Sequence, residues 1–166
     1  MEKIDHLVGY KSITPAEIAF EQYQKFPQYI TTIRDGDTVI GYACILALKP
    51  DVFHKFREAQ ITEHDITHDD IDFNTNPVHL LFQSIAIHPK HQNAINAKRL
   101  IEKFFAHLRE LIDGGMHVAE IITECETKNG MKMATRLLGM KSYRPGAFGQ
   151  IHTLDGKSFM ARMGRK

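Results

Sequence analysis

The stretch Val78 to Ile87 is apolar on both faces except at His79, Gln83 and Ser84. A run of this kind fits a central strand covered on both sides, because a half-exposed strand alternates apolar and polar residues. From Ala97 the period changes. Ala97, Leu100, Ile101, Phe104, Phe105, Leu108, Leu111 and Ile112 form a helical stripe, and Gly114-Gly115 ends it. A buried strand that leads into a long amphipathic helix needs a sheet with helical layers around it.

The remaining segments build that sheet. Thr14-Pro15-Ala16-Glu17 predicts a helix start with Thr14 as cap, Pro15 in the first position and Glu17 closing a capping box. Ala16, Ala19, Phe20 and Tyr23 mark its expected buried face, and Pro27 ends it. Tyr29 to Arg34 and Thr38 to Leu48, joined by Asp35-Gly36-Asp37, predict a hairpin. Val52, Phe53 and Phe56 predict a short helix, and Thr62 with Asp65 a capped turn. Val118 to Cys125 reads as a strand, and Met131, Ala134, Leu137 and Leu138 as a second, shorter helix ending at Gly139. Strands are expected over Lys141 to Tyr143, Gln150 to Leu154 and near Ser158 to Met163. The class is α/β in the broad sense (α+β): a mixed, mostly antiparallel central sheet flanked by helices. With no internal repeat, residues 1–166 form one domain.

The net charge of +1 lacks the basic excess of a nucleic-acid partner, and no segment reaches the apolar length of a membrane span. Cys44 and Cys125 lie far apart in apolar stretches, which suggests reduced thiols. No apolar leader follows Met1 to Asp5, so a cytoplasmic location is expected.

Where a buried strand meets a helix, unpaired N–H groups and the positive dipole end hold phosphate well. Here the junction is Ile85-Ala86-Ile87-His88-Pro89-Lys90-His91-Gln92-Asn93-Ala94-Ile95-Asn96-Ala97-Lys98. Strand, polar loop of small residues and long amphipathic helix resemble the GNAT superfamily of acyl-CoA-dependent N-acyltransferases. Its signature at this place is Arg/Gln-x-x-Gly-x-Gly/Ala. Gln92 and Ala97 match the ends, and Ile95 stands where the first glycine is expected. The early helix, the hairpin with Gly41 and the helix ending in Leu138-Gly139-Met140 follow in matching order.

The resemblance implies a GNAT-like domain with acetyl-CoA as acyl donor. The backbone of Ile85, Ala86 and Ile87 would pair with the pantetheine arm. The amides of Gln92, Asn93, Ala94, Ile95, Asn96, Ala97 and Lys98 would hold the pyrophosphate, with charge added by Lys98 and Arg99. Close approach there favours glycine, so Ile95→Gly is expected to tighten CoA binding. Asn93 and Asn96 tolerate left-handed backbone better than most residues.

Amide formation from a thioester needs a base for the amine and an acid for the departing thiolate. The central strand carries Phe82-Gln83-Ser84 where the family often has a carboxylate, which leaves Glu124 and Glu126 as nearest candidates by topology, Glu124 first. The position of the family's acidic tyrosine holds Thr135, a contact to the thiolate, and Tyr143 is the substitute acid. The acidic segment 61–77 is expected near the acceptor side, where it would draw a cationic amine.

His64-Asp65-Ile66-Thr67-His68 resembles the zinc-protease pattern HExxH but carries Asp in place of the essential Glu. No resident metal is expected, since no Cys or His cluster has structural-zinc spacing. A metal-dependent hydrolase using His64 and His68 is the third reading. The first is transfer of an acetyl group from acetyl-CoA to a primary amine of a small molecule or peptide by direct attack. The second is a non-catalytic CoA-binding or regulatory module of the same fold. The family's frequent dimers make a homodimer the expected assembly.

Overall fold

The computed structural model describes residues 2–11 and 13–164. Helices α1 (Glu2–Val8) and α2 (Ala16–Lys25) precede the hairpin β1 (Ile30–Asp35) and β2 (Thr38–Leu48). The hairpin turns at Gly36, whose φ of 55° is the left-handed conformation that the Asp-Gly signal requires. α3 (Pro50–Arg57) begins with proline in its first turn. β3 (Val78–Ile87), α4 (Ala94–Asp113) and β4 (Val118–Cys125) form the crossover unit. α5 (Lys128–Lys132) continues into a π-helical turn over Met133–Leu137. β5 (Lys141–Pro145), β6 (Gln150–Asp155) and α6 (Gly156–Met163) complete the chain.

The sheet order is β1-β2-β3-β4-β6-β5. Only β3 and β4 are parallel; the other neighbours run antiparallel. The double-sided burial expected of Val78 to Ile87 follows from its central place. One face carries Leu80, Phe82 and Ile121 against Leu100, Phe104 and Leu108 of α4 and Phe159 of α6. The other carries Tyr42, Leu46, Leu81 and Ile122 against Phe53 and Phe56 of α3 and Ile4 of α1. Successive strand residues thus serve opposite layers. No helix among the described residues is long and apolar enough to cross a membrane.

Three local expectations are corrected. The segment near Ser158 to Met163 is helix, not strand. Asp155 accepts the Ser158 amide at 2.8 Å as an N-cap, and Phe159 is fully buried. Helix α2 starts one residue later than expected, without the Thr14 cap. The Glu2 carboxylate accepts the Ala16 amide at 3.0 Å, and the Thr14 hydroxyl accepts from Gln83 instead. Its buried residues are Ala19 and Gln22, whereas Phe20 and Tyr23 face solvent. The expected stripe ran one step around the helix from the buried one, because α2 meets the body of the protein through Tyr29, whose hydroxyl donates to the Ala19 carbonyl.

Candidate functional site

The central strands separate. β3 and β4 pair from Val78 opposite Val118 to Leu81 opposite Ile122, and no further. Beyond that point Phe82, Gln83, Ser84 and Ile85 of β3 and the Thr123–Cys125 end of β4 border a small cleft. A bulge helps to open it. Cys44 of β2 faces Ser84 and Ile45 faces Phe82, which leaves Gln83 unmatched and bends β3. Met133 and Ala134 of the π turn close one side, a place where the irregular helix presents consecutive residues to a site. A wider, open groove continues from the cleft along Ile85, Ala86 and Ile87 to Gln92, Asn93 and Ala97.

The carbonyls of Ile85 and Ile87, two residues apart, point to the edge that β4 has left. The Ile85 carbonyl accepts the Tyr10 hydroxyl at 2.6 Å, and the Ile87 carbonyl accepts from the Gln92 amide side chain at 3.0 Å. The loop that follows is organised by its own asparagines. Asn93 caps α4 by accepting the Asn96 amide at 2.8 Å, and Asn96 donates to the His91 carbonyl at 2.8 Å. Ala94 and Ile95, in the first turn, have no intrahelical acceptor for their amides.

No residue from Gln92 to Lys98 has a positive φ. The backbone conformation at Ile95 does not itself require glycine: it is helical, and the side chain is 77% exposed. Lys98 reaches along the helix to Glu102 at 3.7 Å, and Arg99 donates to the Arg34 carbonyl.

Glu124 lines the cleft and is buried. One of its oxygens, Oε1, accepts the amides of Phe148 and, at 2.6 Å, Gly149, so it also anchors the β5–β6 loop. The loop must come close to do this. A Cβ at Gly146 would lie 2.5 Å from Glu124 Oε1, and one at Gly149 would lie 2.2 Å from the Cys125 carbonyl oxygen. Glu126 and Glu63 also line the cleft, and Glu126 accepts the Lys11 amide at 2.7 Å.

Two other residues singled out from the sequence lie elsewhere. Tyr143 is 47% exposed on the edge strand, where its hydroxyl donates to Glu58 at 2.7 Å beneath the Arg57 guanidinium. Thr135 is exposed and donates to the Met131 carbonyl of the preceding turn at 2.8 Å. Neither borders the cleft or the groove.

Both cysteines border the cleft region, yet neither is built as a nucleophile. Burial pushes the Cys44 thiol far up and the Cys125 thiol up to about 11, so both stay protonated near neutrality. The acidic segment contributes only Glu63 to the cleft. Asp65 and Asp70 are spent on capping boxes with Thr62 and Thr67, and Asp72 accepts from Asn74 and Thr75. His64 and His68 fall on separate short turns, Glu63–Asp65 and His68–Asp70, so the single helix that an HExxH pattern requires does not form.

Thr127, Gly130 and Tyr10 are among the lining residues that the sequence left unassigned. Thr127 caps α5, accepting the Gly130 amide at 3.0 Å, and both border cleft and groove. Their sequence signal was a Thr with Gly three residues on, at the end of a strand. Tyr10 follows α1, a short helix that ends at Gly9, and only the tertiary fold brings it to β3.

No family model matches this sequence, and no curated protein matches it. Solved structures match its shape over nearly its whole length. Naa20 of Chaetomium thermophilum, in complex with a bisubstrate analogue, gives a TM-score of 0.53 at 16% identity, covering 92% of this chain and 79% of that one. The loading GNATL domain of CurA from Lyngbya majuscula gives 0.63 at 16% identity, covering 93% and 90%. The putative acetyltransferase yncA of Salmonella typhimurium, with its cofactor acetyl-CoA, gives 0.53 at 13% identity, covering 93% and 84%. At such identities the likeness is one of fold, and the fold of this chain is that of the GNAT acetyltransferases.

Proposed function

We propose that the protein transfers an acetyl group from acetyl-CoA to a primary amine of a small molecule or peptide. The observation that carries this reading is the separation of β3 and β4, which joins a cleft bordered by Glu63, Glu124 and Glu126 to a groove ending at the start of α4. A long, narrow ligand with phosphates at one end and an acyl group at the other fits that shape. The structurally similar yncA holds acetyl-CoA, which supports the same donor here.

In this reading Ile85 to Ile87 offer backbone groups to the pantetheine arm. Gln92 to Lys98 meet the pyrophosphate, chiefly through the amides of Ala94 and Ile95 and the positive end of the α4 dipole. The acceptor enters beside Glu63, Glu124 and Glu126, whose charge favours an amine over an anion. Glu124 takes the amine proton through the oxygen that does not hold the loop, directly or through water. The amine nitrogen bonds to the acyl carbon, the carbon–sulfur bond breaks, and the thiolate leaves to be protonated by solvent. Positioning of the two reactants supplies much of the acceleration.

One observation favours a CoA-binding module without transfer. Tyr143 and Thr135 are both outside the cleft, so neither acts on the thiolate in this arrangement. Thiol release from acetyl-CoA across a panel of primary amines separates the two readings. Amine-dependent release supports the transferase. CoA binding without release supports the module.

A further inference from the structure

Tyr10, from the start of the chain, stands with Ile85, Thr127, Gly130 and Met133 where cleft and groove meet. Tyr10 lines both, and its hydroxyl donates to the Ile85 carbonyl at 2.6 Å. That carbonyl lies on the edge of β3 that β4 has left, where a strand partner is missing. A part-buried carbonyl that has lost its strand partner needs another donor, and here a side chain from another element supplies it.

The surroundings hold the tyrosine in place. Gly9, with φ of 78°, turns the chain at the end of α1, and the Lys11 amide donates to Glu126 across the cleft. Asp5 of α1 accepts the Tyr42 hydroxyl from the face of β2, which fixes the helix to the sheet. Burial, reinforced by the charges of Asp5, Glu126 and Glu63, keeps the Tyr10 hydroxyl protonated, so it remains a donor across the neutral range.

We propose that Tyr10 is a positioning residue of the acyl-donor site, holding the Ile85 carbonyl until an amide N–H of the pantetheine arm replaces its hydroxyl. The inference rests on the acyl-CoA reading of the groove. An extended arm with amide groups adds to a free sheet edge as another strand would, and the nearest edge carbonyl is the one Tyr10 holds. Replacement turns the hydroxyl loose at the junction of groove and cleft, so donor binding works against one existing hydrogen bond.

The test is calorimetric titration of wild type, Tyr10→Phe and Tyr10→Leu with coenzyme A and with adenosine 3′,5′-bisphosphate, which has phosphates but no pantetheine arm. Removing the hydroxyl removes the competitor, so coenzyme A is expected to bind about fivefold tighter to both variants, the equivalent of one ordinary hydrogen bond. The bisphosphate affinity stays the same. Unchanged or weaker coenzyme A binding in a folded variant overturns the role of Tyr10, as does an equal gain for both ligands. Failure of wild type to bind coenzyme A at all overturns the acyl-CoA reading itself, and the role of Tyr10 with it.

Discussion

Substitution of Glu124 separates the loop contact made by Oε1 from the proton transfer proposed for its other oxygen. Oε1 accepts the Phe148 and Gly149 amides and fixes the β5–β6 loop, and the other oxygen is the proposed proton acceptor. Glu124→Gln keeps an oxygen where the loop needs one but replaces charge-assisted bonds by neutral ones of about half their strength, a loss of about 1–2 kcal/mol in stability. Glu124→Ala leaves both amides without an acceptor in a half-buried loop, and the expected loss is about 3–5 kcal/mol. Neither variant keeps the proposed proton acceptor, so both are expected to lose about 10²- to 10⁴-fold in amine-dependent thiol release. Denaturant unfolding gives the first pair of numbers and steady-state thiol release the second. A Gln variant with wild-type turnover refutes the base assignment. An Ala variant no less stable than Gln refutes the loop anchor.

Other substitutions bear on neighbouring parts of the account. Burial, with the charges of Glu2 and Glu126 added, pushes Asp5 up from 3.8 to about 7. The folded state therefore binds the proton more tightly than the unfolded chain, and the stability tied to the neutral acid is full below about pH 4 and lost as the pH rises through about 7. Thermal midpoints are expected to fall over that range, and Asp5→Asn flattens the fall; a midpoint that rises instead contradicts the burial of a neutral acid. Gly149→Ala sets a methyl against the Cys125 carbonyl and is expected to destabilise by about 1–3 kcal/mol in a denaturant titration, an overpacking cost that an unperturbed variant would disprove. Ile95→Gly is expected to cost about 1 kcal/mol of helix stability or less and to leave the coenzyme A dissociation constant unchanged, since the side chain already points to solvent; tighter binding would restore the case for a glycine there.

Much of the sheet was legible because its strands are long and their signals local. The double-sided apolar run of β3 and the Asp-Gly turn of the hairpin each name a backbone state with few alternatives. The last helix was misread because Phe159, Met160 and Met163 within a short window fit two periods, and the deciding feature was the cap from Asp155. The buried face of α2 was misjudged for a related reason: Phe20 and Tyr23 are apolar enough to predict burial, but the body of the protein meets the helix elsewhere. In the site, strand and loop positions could be placed because they are consecutive. The parts that needed distant segments could not. Tyr10 reaches Ile85 across a separation of 75 residues, and Glu124 meets its loop across 25. The demand for glycine at Ile95 came from a motif rather than from this backbone, which follows an asparagine-capped helical course.

Titration of the protein with acetyl-CoA, followed by its thermal unfolding, bears most directly on the central claim that the groove beside β3 is an acyl-CoA site. At 100 times the dissociation constant the ligand should stabilise the fold by about 2.7 kcal/mol, which raises the midpoint of a domain this size by about 5–10 °C. A rise of that order, lost when Ile87 or Ala97 of the groove is replaced by a bulkier residue, is the predicted result. No shift with acetyl-CoA or any other CoA ester would contradict the account.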